Sequence, residues 1–128
     1  MTNWLNLARA ISQLSTCKTQ VGAVIVRHGT PVSAGCNQPK THPQFANGSH
    51  CTLHAEIVAV LNANCNLRGS TVYVYRQHAN GVSALARPCV NCLAVLAAAG
   101  IKWCCYSTNS YPNFQTERIP HAQNWRRL

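Results

Sequence analysis

The chain contains no aspartate and only two glutamates, Glu56 and Glu117, against eleven lysines and arginines. A formal charge of +9 makes polyanions its natural partners, because a cationic surface steers them in and releases their counterions. Nucleotides, single-stranded nucleic acid and structured RNA all qualify. A plainer reading is that the excess charge serves solubility, since the positive residues are scattered and form no block except Arg126 and Arg127.

Other absences bound the protein further. No run approaches the length of about eighteen apolar residues that a membrane span needs, so no membrane partner is expected. The N-terminus lacks a basic patch followed by an apolar stretch and cleavage site, which argues for a cytoplasm-like compartment, a host cell's if the source is viral. Thiols stay reduced there, so the eight cysteines read as core residues and metal ligands rather than as a disulfide framework. Internal repeats, low-complexity tracts and linkers are also missing. Residues 1–128 therefore read as one domain with a basic tail at 120–128, and 47% hydrophobic content is enough for a single core.

What is present falls into an order. Trp4, Leu7, Ala8, Ile11 and Leu14 recur at helical spacing and predict an amphipathic helix from about Asn3 to Thr16. Two β-branched runs joined at His28 and Gly29 predict a hairpin over residues 20–37. Gln38 to Thr52 mixes Pro, Asn, Gly and Ser without period and reads as a long loop. Helical pattern returns from Leu53 to about Asn64, with Ile57, Val60 and Leu61 on the buried stripe, and an alternating strand follows over 70–76. After a loop from Gln77 to Arg87, Pro88 opens a helix that Gly100 ends, and residues 101–107 form the next strand. Residues 113–119 suit an edge strand. The link from Ser107 is too short for a parallel crossover, so that pairing should be antiparallel. The expected fold is α/β in three layers, a mixed sheet of about five strands with helices on both faces. Cys104 and Cys105 should point to opposite sides of their strand, and Cys17 and Cys65 read as core.

Two helix starts carry the chemistry. Cys89 and Cys92 are three apart at one of them, so both thiols share a face, and a helix N-terminus favours the thiolate that binds metal. His54 opens the other. Helices packed on a parallel strand pair bring their N-termini to one end of the sheet, so the three side chains can meet and leave a fourth position open. That ligand count belongs to a catalytic rather than a structural zinc. A redox dithiol at Cys89 and Cys92 is the competing reading. Glu56, two residues after the histidine, can approach the zinc's water without being a ligand, as a proton shuttle. The bland alternative is a first-turn glutamate that complements the helix dipole.

The motif His-Ala-Glu at 54–56, followed by Pro-Cys-Val-Asn-Cys at 88–92, resembles the zinc-dependent cytidine and deoxycytidylate deaminase superfamily. The resemblance runs from about Val21 to Tyr106. It implies Zn2+ held by His54, Cys89 and Cys92, and Glu56 moving a proton from water to the ring nitrogen and then to the leaving ammonia. It also implies that Asn37 reaches the sugar, that the Ala55 backbone meets the base edge, and that Pro88 lies in the substrate site. The loop around Lys40 and His42 resembles a substrate loop of viral and phage deoxycytidylate deaminase-like proteins, where both side chains could bind phosphate.

Markers within the family diverge. Histidine before Ala-Glu favours the deoxycytidylate, tRNA-adenosine and polynucleotide branches, whereas the antiparallel edge strand looks like the cytidine deaminase branch. The loop from Gln77 to Arg87 is longer than the family's usual link and lies where it could wall the pocket. Cys36, His50 and Cys51 could hold a second metal, although burial as small apolar residues suits them better. Trp125 with Arg126 and Arg127 could stack on a base and pair with phosphate, or fray. The expected activity is hydrolytic deamination of a cytosine base on a deoxycytidylate-type nucleotide. The alternatives are a cytosine or adenine deaminase on single-stranded DNA or RNA, and a non-catalytic zinc-stabilised nucleic-acid-binding module. Relatives are often oligomeric, so the resemblance is compatible with a homo-oligomer.

Overall fold

The computed structural model describes residues 3–39, 53–78 and 80–120. Helix α1 (Asn3–Ser12) is followed by strands β1 (Gln20–Arg27) and β2 (Thr30–Cys36), helix α2 (Ala55–Asn62), strands β3 (Thr71–Gln77) and β4 (Ser83–Ala84), helix α3 (Val90–Ala98), and strands β5 (Trp103–Ser107) and β6 (Phe114–Arg118). The sheet runs β2-β1-β3-β5-β6, with the short β4 added to the end of β3. This is the expected mixed sheet in three layers. The strand beyond the expected five, β4, is only two residues long and lies inside what composition reads as a loop.

Side-chain alternation builds the layers. Val24, Val26, Tyr75 and Cys105 point to one face and pack against Leu5 and Ala8 of α1. Ala23, Ile25, Val72, Val74 and Cys104 point to the other, where α2 and α3 supply Ala55, Ala59, Leu93 and Leu96. Cys104 and Cys105 therefore serve opposite cores, as period-two geometry requires. His28 and Gly29 carry the hairpin between β1 and β2 with positive φ at both positions, the conformation of a tight two-residue turn.

Two glycines fix how the helices sit. A Cβ on Gly22 of β1 would collide with the Ala8 carbonyl and stand 2.5 Å from the Ser12 nitrogen. A Cβ on Gly35 of β2 would stand 2.8 Å from the Ala59 nitrogen of α2. Both helices thus press their backbones onto the sheet. The structure departs from the sequence reading along both of them. The buried stripe of α1 is Leu5, Ala8 and Ser12. The helix ends at Ser12 instead of Thr16, and Leu14 is 70% exposed. In α2 the first five residues are all buried, whereas Val60 is half-buried and Leu61 is exposed. Cys65, expected in the core, is exposed just beyond that helix, and Cys17 is half-buried.

The second half of the chain carries the parallel strand pair. Strands β3 and β5 are parallel, joined through α3, and β6 returns antiparallel to β5. Helix α3 begins at Cys89 as its N-cap, so Pro88 stands one residue before the cap and not within the first turn. It ends where Gly100, with φ of 86°, lets the Gly100 and Ile101 amides reach back to the Ala97 and Leu96 carbonyls. Strand β4 pairs with Arg76 and Gln77 and folds the 77–87 segment back along the end of β3. No helix among the described residues is long and apolar enough to cross a membrane.

Candidate active site

His54 and Cys89 are the N-cap residues of α2 and α3, and neither makes a side-chain capping hydrogen bond. N-caps are usually Ser, Thr, Asp or Asn, whose side chains satisfy the helix's first amides. Here both cap side chains turn toward each other. The Sγ of Cys92 lies 3.0 Å from Nδ1 of His54, and the Sγ of Cys89 lies 3.9 Å from the same nitrogen. All three donor atoms fall within 4.8 Å of one another, the one such group of three or more among the described residues. A tetrahedral ion bonded at about 2.3 Å to sulfur and 2.0–2.1 Å to nitrogen spaces its ligands about 3.5–3.8 Å apart. The two sulfur–nitrogen distances, 3.0 and 3.9 Å, fall on either side of that spacing, so small side-chain adjustments bring the three donors onto one ion.

Electrostatics ask for a cation in the same place. Burial, aided by the charges of Glu56 and Cys89, pushes the Cys92 thiol up. Burial also raises the Glu56 carboxyl, although its own backbone amide, His54 and a hydrogen bond from Cys92 pull it back. Two sulfurs and a carboxylate packed so closely disfavour one another's anionic forms, and a divalent ion inverts that balance. Glu56 is only 5% exposed and belongs to an otherwise apolar helix turn, so an ordinary surface role in complementing the helix dipole does not describe it.

A cavity of about 300 Å³ opens over this cluster. His54, Ala55, Glu56 and Cys89 border it, and Pro88 does so from the start of α3. Asn37, Thr19 and Val21 line another side. Asn37 is buried and held by β1: its Oδ1 accepts from the Val21 amide at 2.9 Å, and its Nδ2 donates to the Thr19 carbonyl at 2.8 Å. That leaves one amide hydrogen for a ligand. Ser15 donates to the Asn37 carbonyl at 2.9 Å and fixes the backbone beneath it.

The segment 77–87 does line the pocket, through Leu85, Ala86 and Arg87. Arg76 joins them, because in β3 it shares a face with Val72 and Val74. Arg76 had no sequence signal of its own, since an arginine at a strand end reads as a solvated side chain. Arg87 donates from Nε to both carboxylate oxygens of Glu117, at 3.1 and 3.2 Å, and the Tyr106 hydroxyl donates to the same carboxylate. These contacts hold Glu117 below the usual carboxylate range. Lys40, His42, His50, Cys51 and the tail with Trp125, Arg126 and Arg127 lie outside the described residues.

Comparison with known proteins adds the following. The family model of the cytidine and deoxycytidylate deaminase zinc-binding region matches residues 1–108. Among solved structures, the chain is similar to the dCMP deaminase of the cyanophage S-TIM5 in its apo form, with 26% identity, a TM-score of 0.62, and coverage of 87% of this chain and 88% of that one. The same phage enzyme in complex with dCMP and dUMP matches at 24% identity and a TM-score of 0.62, covering 84% of each chain. A cytidine deaminase from Burkholderia pseudomallei shares the fold at 19% identity and a TM-score of 0.65, covering 98% of this chain and 96% of that one. No curated protein matches the chain.

Proposed function

The chain belongs to the family of the cytidine and deoxycytidylate deaminase zinc-binding region, and on that premise we propose that it hydrolyses the exocyclic amine of cytosine on a deoxycytidylate-type nucleotide. The observation that carries the reading is a buried carboxylate, Glu56, beside a three-donor metal group at the foot of a cavity large enough for a small ligand. Zinc bound by His54, Cys89 and Cys92 supplies the charge that makes water a nucleophile near neutral pH.

The protein's own groups do the rest. Glu56 accepts a proton from the attacking water and passes it to the ring nitrogen as the carbon–oxygen bond forms. It then takes the proton of the new hydroxyl on that carbon and delivers it to the amine as the carbon–nitrogen bond breaks and the carbonyl forms, so water and cytosine become uracil and ammonia. Burial suits the carboxyl to both transfers, because it keeps Glu56 beside the metal group and away from competing solvent. The remaining amide hydrogen of Asn37 serves the sugar, and the Ala55 backbone at the start of α2 meets the base edge. Pro88 confines the base from the α3 side.

A nucleotide substrate is supported by the two guanidiniums that line the cavity and by the similarity to a phage enzyme that acts on dCMP. Ammonia release from dCMP, deoxycytidine and a cytosine-containing oligonucleotide tests the reading. We expect kcat/KM to be highest for dCMP. Turnover confined to the oligonucleotide would refute the substrate, and no turnover of any of the three would refute the activity.

A further inference from the structure

We propose that Arg87 and Arg76 form the subsite that reads the substrate's phosphate, with Glu117 and Tyr106 as positioning residues that aim Arg87. This inference rests on the nucleotide reading above and names the residues that would give it effect. Arg76 and Arg87 are the two permanently charged groups on the cavity wall, and the carboxylate of Glu56 lies deep beside the metal ligands. An anionic group on the ligand is therefore drawn to the side formed by the 77–87 segment, away from Glu56.

The geometry of Arg87 separates it from an ordinary surface ion pair. Both of its hydrogen bonds to Glu117 leave from Nε, and neither uses Nη1 or Nη2. A guanidinium anchored through Nε has its terminal nitrogens left to fork onto a second oxyanion. The anchor is itself fixed, because Tyr106 is buried in the sheet core and its hydroxyl bonds Glu117. Pro88 restricts the backbone of Arg87 to extended conformations, which further limits where the side chain can go. Arg76 approaches from β3, where its backbone amide is tied to the Ser107 hydroxyl at 3.0 Å. Two arginines reach one cavity from separate segments, the end of β3 and the link into α3, each on a restrained backbone.

Binding of the reaction product tests this apart from turnover. Calorimetric titration of the zinc-loaded protein with dUMP and with deoxyuridine yields the ratio of their dissociation constants, which isolates the phosphate. We expect a ratio of about 100 in the wild type, from charge-assisted bonds to two guanidiniums. Arg87→Ala should lower the ratio by about tenfold or more, Arg76→Ala by about threefold, and Arg87→Lys by an intermediate amount, because lysine keeps the charge without the fork. Arg87→Lys also guards against a misfolded alanine variant. An unchanged ratio in both Arg87 variants, or an equal rise in both dissociation constants, would overturn the subsite. A wild-type ratio near one would overturn it too, and deoxycytidine turnover in the same preparation would then show that the deaminase chemistry survives. A ratio that collapses in Arg87→Ala without ammonia release from dCMP would keep the subsite and sink the proposed activity instead.

Discussion

The two glutamates of this chain sit in opposite surroundings. Glu56 lies in the first turn of α2, 5% exposed, among apolar neighbours and metal-ligand side chains, and burial raises its pKa. Glu117 lies on the edge strand β6, its side chain 31% exposed, where Arg87 and Tyr106 lower its pKa. One carboxyl is made easier to protonate and the other is held as an anion. The same side chain can therefore serve as a proton carrier or as an anchor, and the difference is set by desolvation on one side and by a cationic partner on the other.

The comparison can be broken from either end. The largest effect is expected at the metal-binding end, where Cys92→Ser should take bound zinc from about one per chain to near zero and abolish deamination. The same change at Cys65, exposed and remote from the triad, should leave zinc content and turnover as they were. Elemental analysis beside an ammonia assay reads both.

A smaller effect is expected from the seat that sets the position of α2. Gly35→Val would force Val58 and Ala59 away from β2, an overpacking cost of about 1–3 kcal/mol that calorimetric melting would record as a Tm lower by several degrees. Because α2 carries both His54 and Glu56, turnover should fall as well.

The smallest effect is expected at the other glutamate. Glu117→Gln should change stability at pH 7 by no more than about 1 kcal/mol, since the half-exposed pair with Arg87 is screened by solvent. The sign of its pH dependence follows from the lowered pKa. The anionic pair contributes fully above the unfolded glutamate pKa of about 4.3 and fades as pH falls through the lower folded value. The Tm difference between wild type and Glu117→Gln should therefore shrink as pH falls below about 4.3 and vanish once pH passes beneath the lower folded value.

Local chemistry explains what could be read before the fold was known. His54, Cys89 and Cys92 were legible because helix starts and three-residue spacing are local properties, and the hairpin at His28 and Gly29 because a tight turn needs residues that tolerate positive φ. The antiparallel β6 followed from the shortness of its connection. What stayed hidden depends on distant partners. Leu14 and Leu61 obey helical spacing, yet both are exposed, Leu14 because α1 ends before it and Leu61 because the seat at Gly35 turns another face of α2 to the sheet. The link between Arg87 and Glu117 spans thirty residues and has no local signature. Arg76 reaches the cavity wall from the end of β3, and the other residues of that wall come from segments distant in sequence.

The account's central claim is that Glu56 carries the proton while His54, Cys89 and Cys92 hold the metal. Ammonia release from dCMP by zinc-loaded Glu56→Gln, with zinc measured on the same sample, tests it most directly. The account predicts a kcat lower by about 10²–10⁴ with about one zinc retained per chain. Turnover within a few-fold of wild type, with zinc in place, would contradict it.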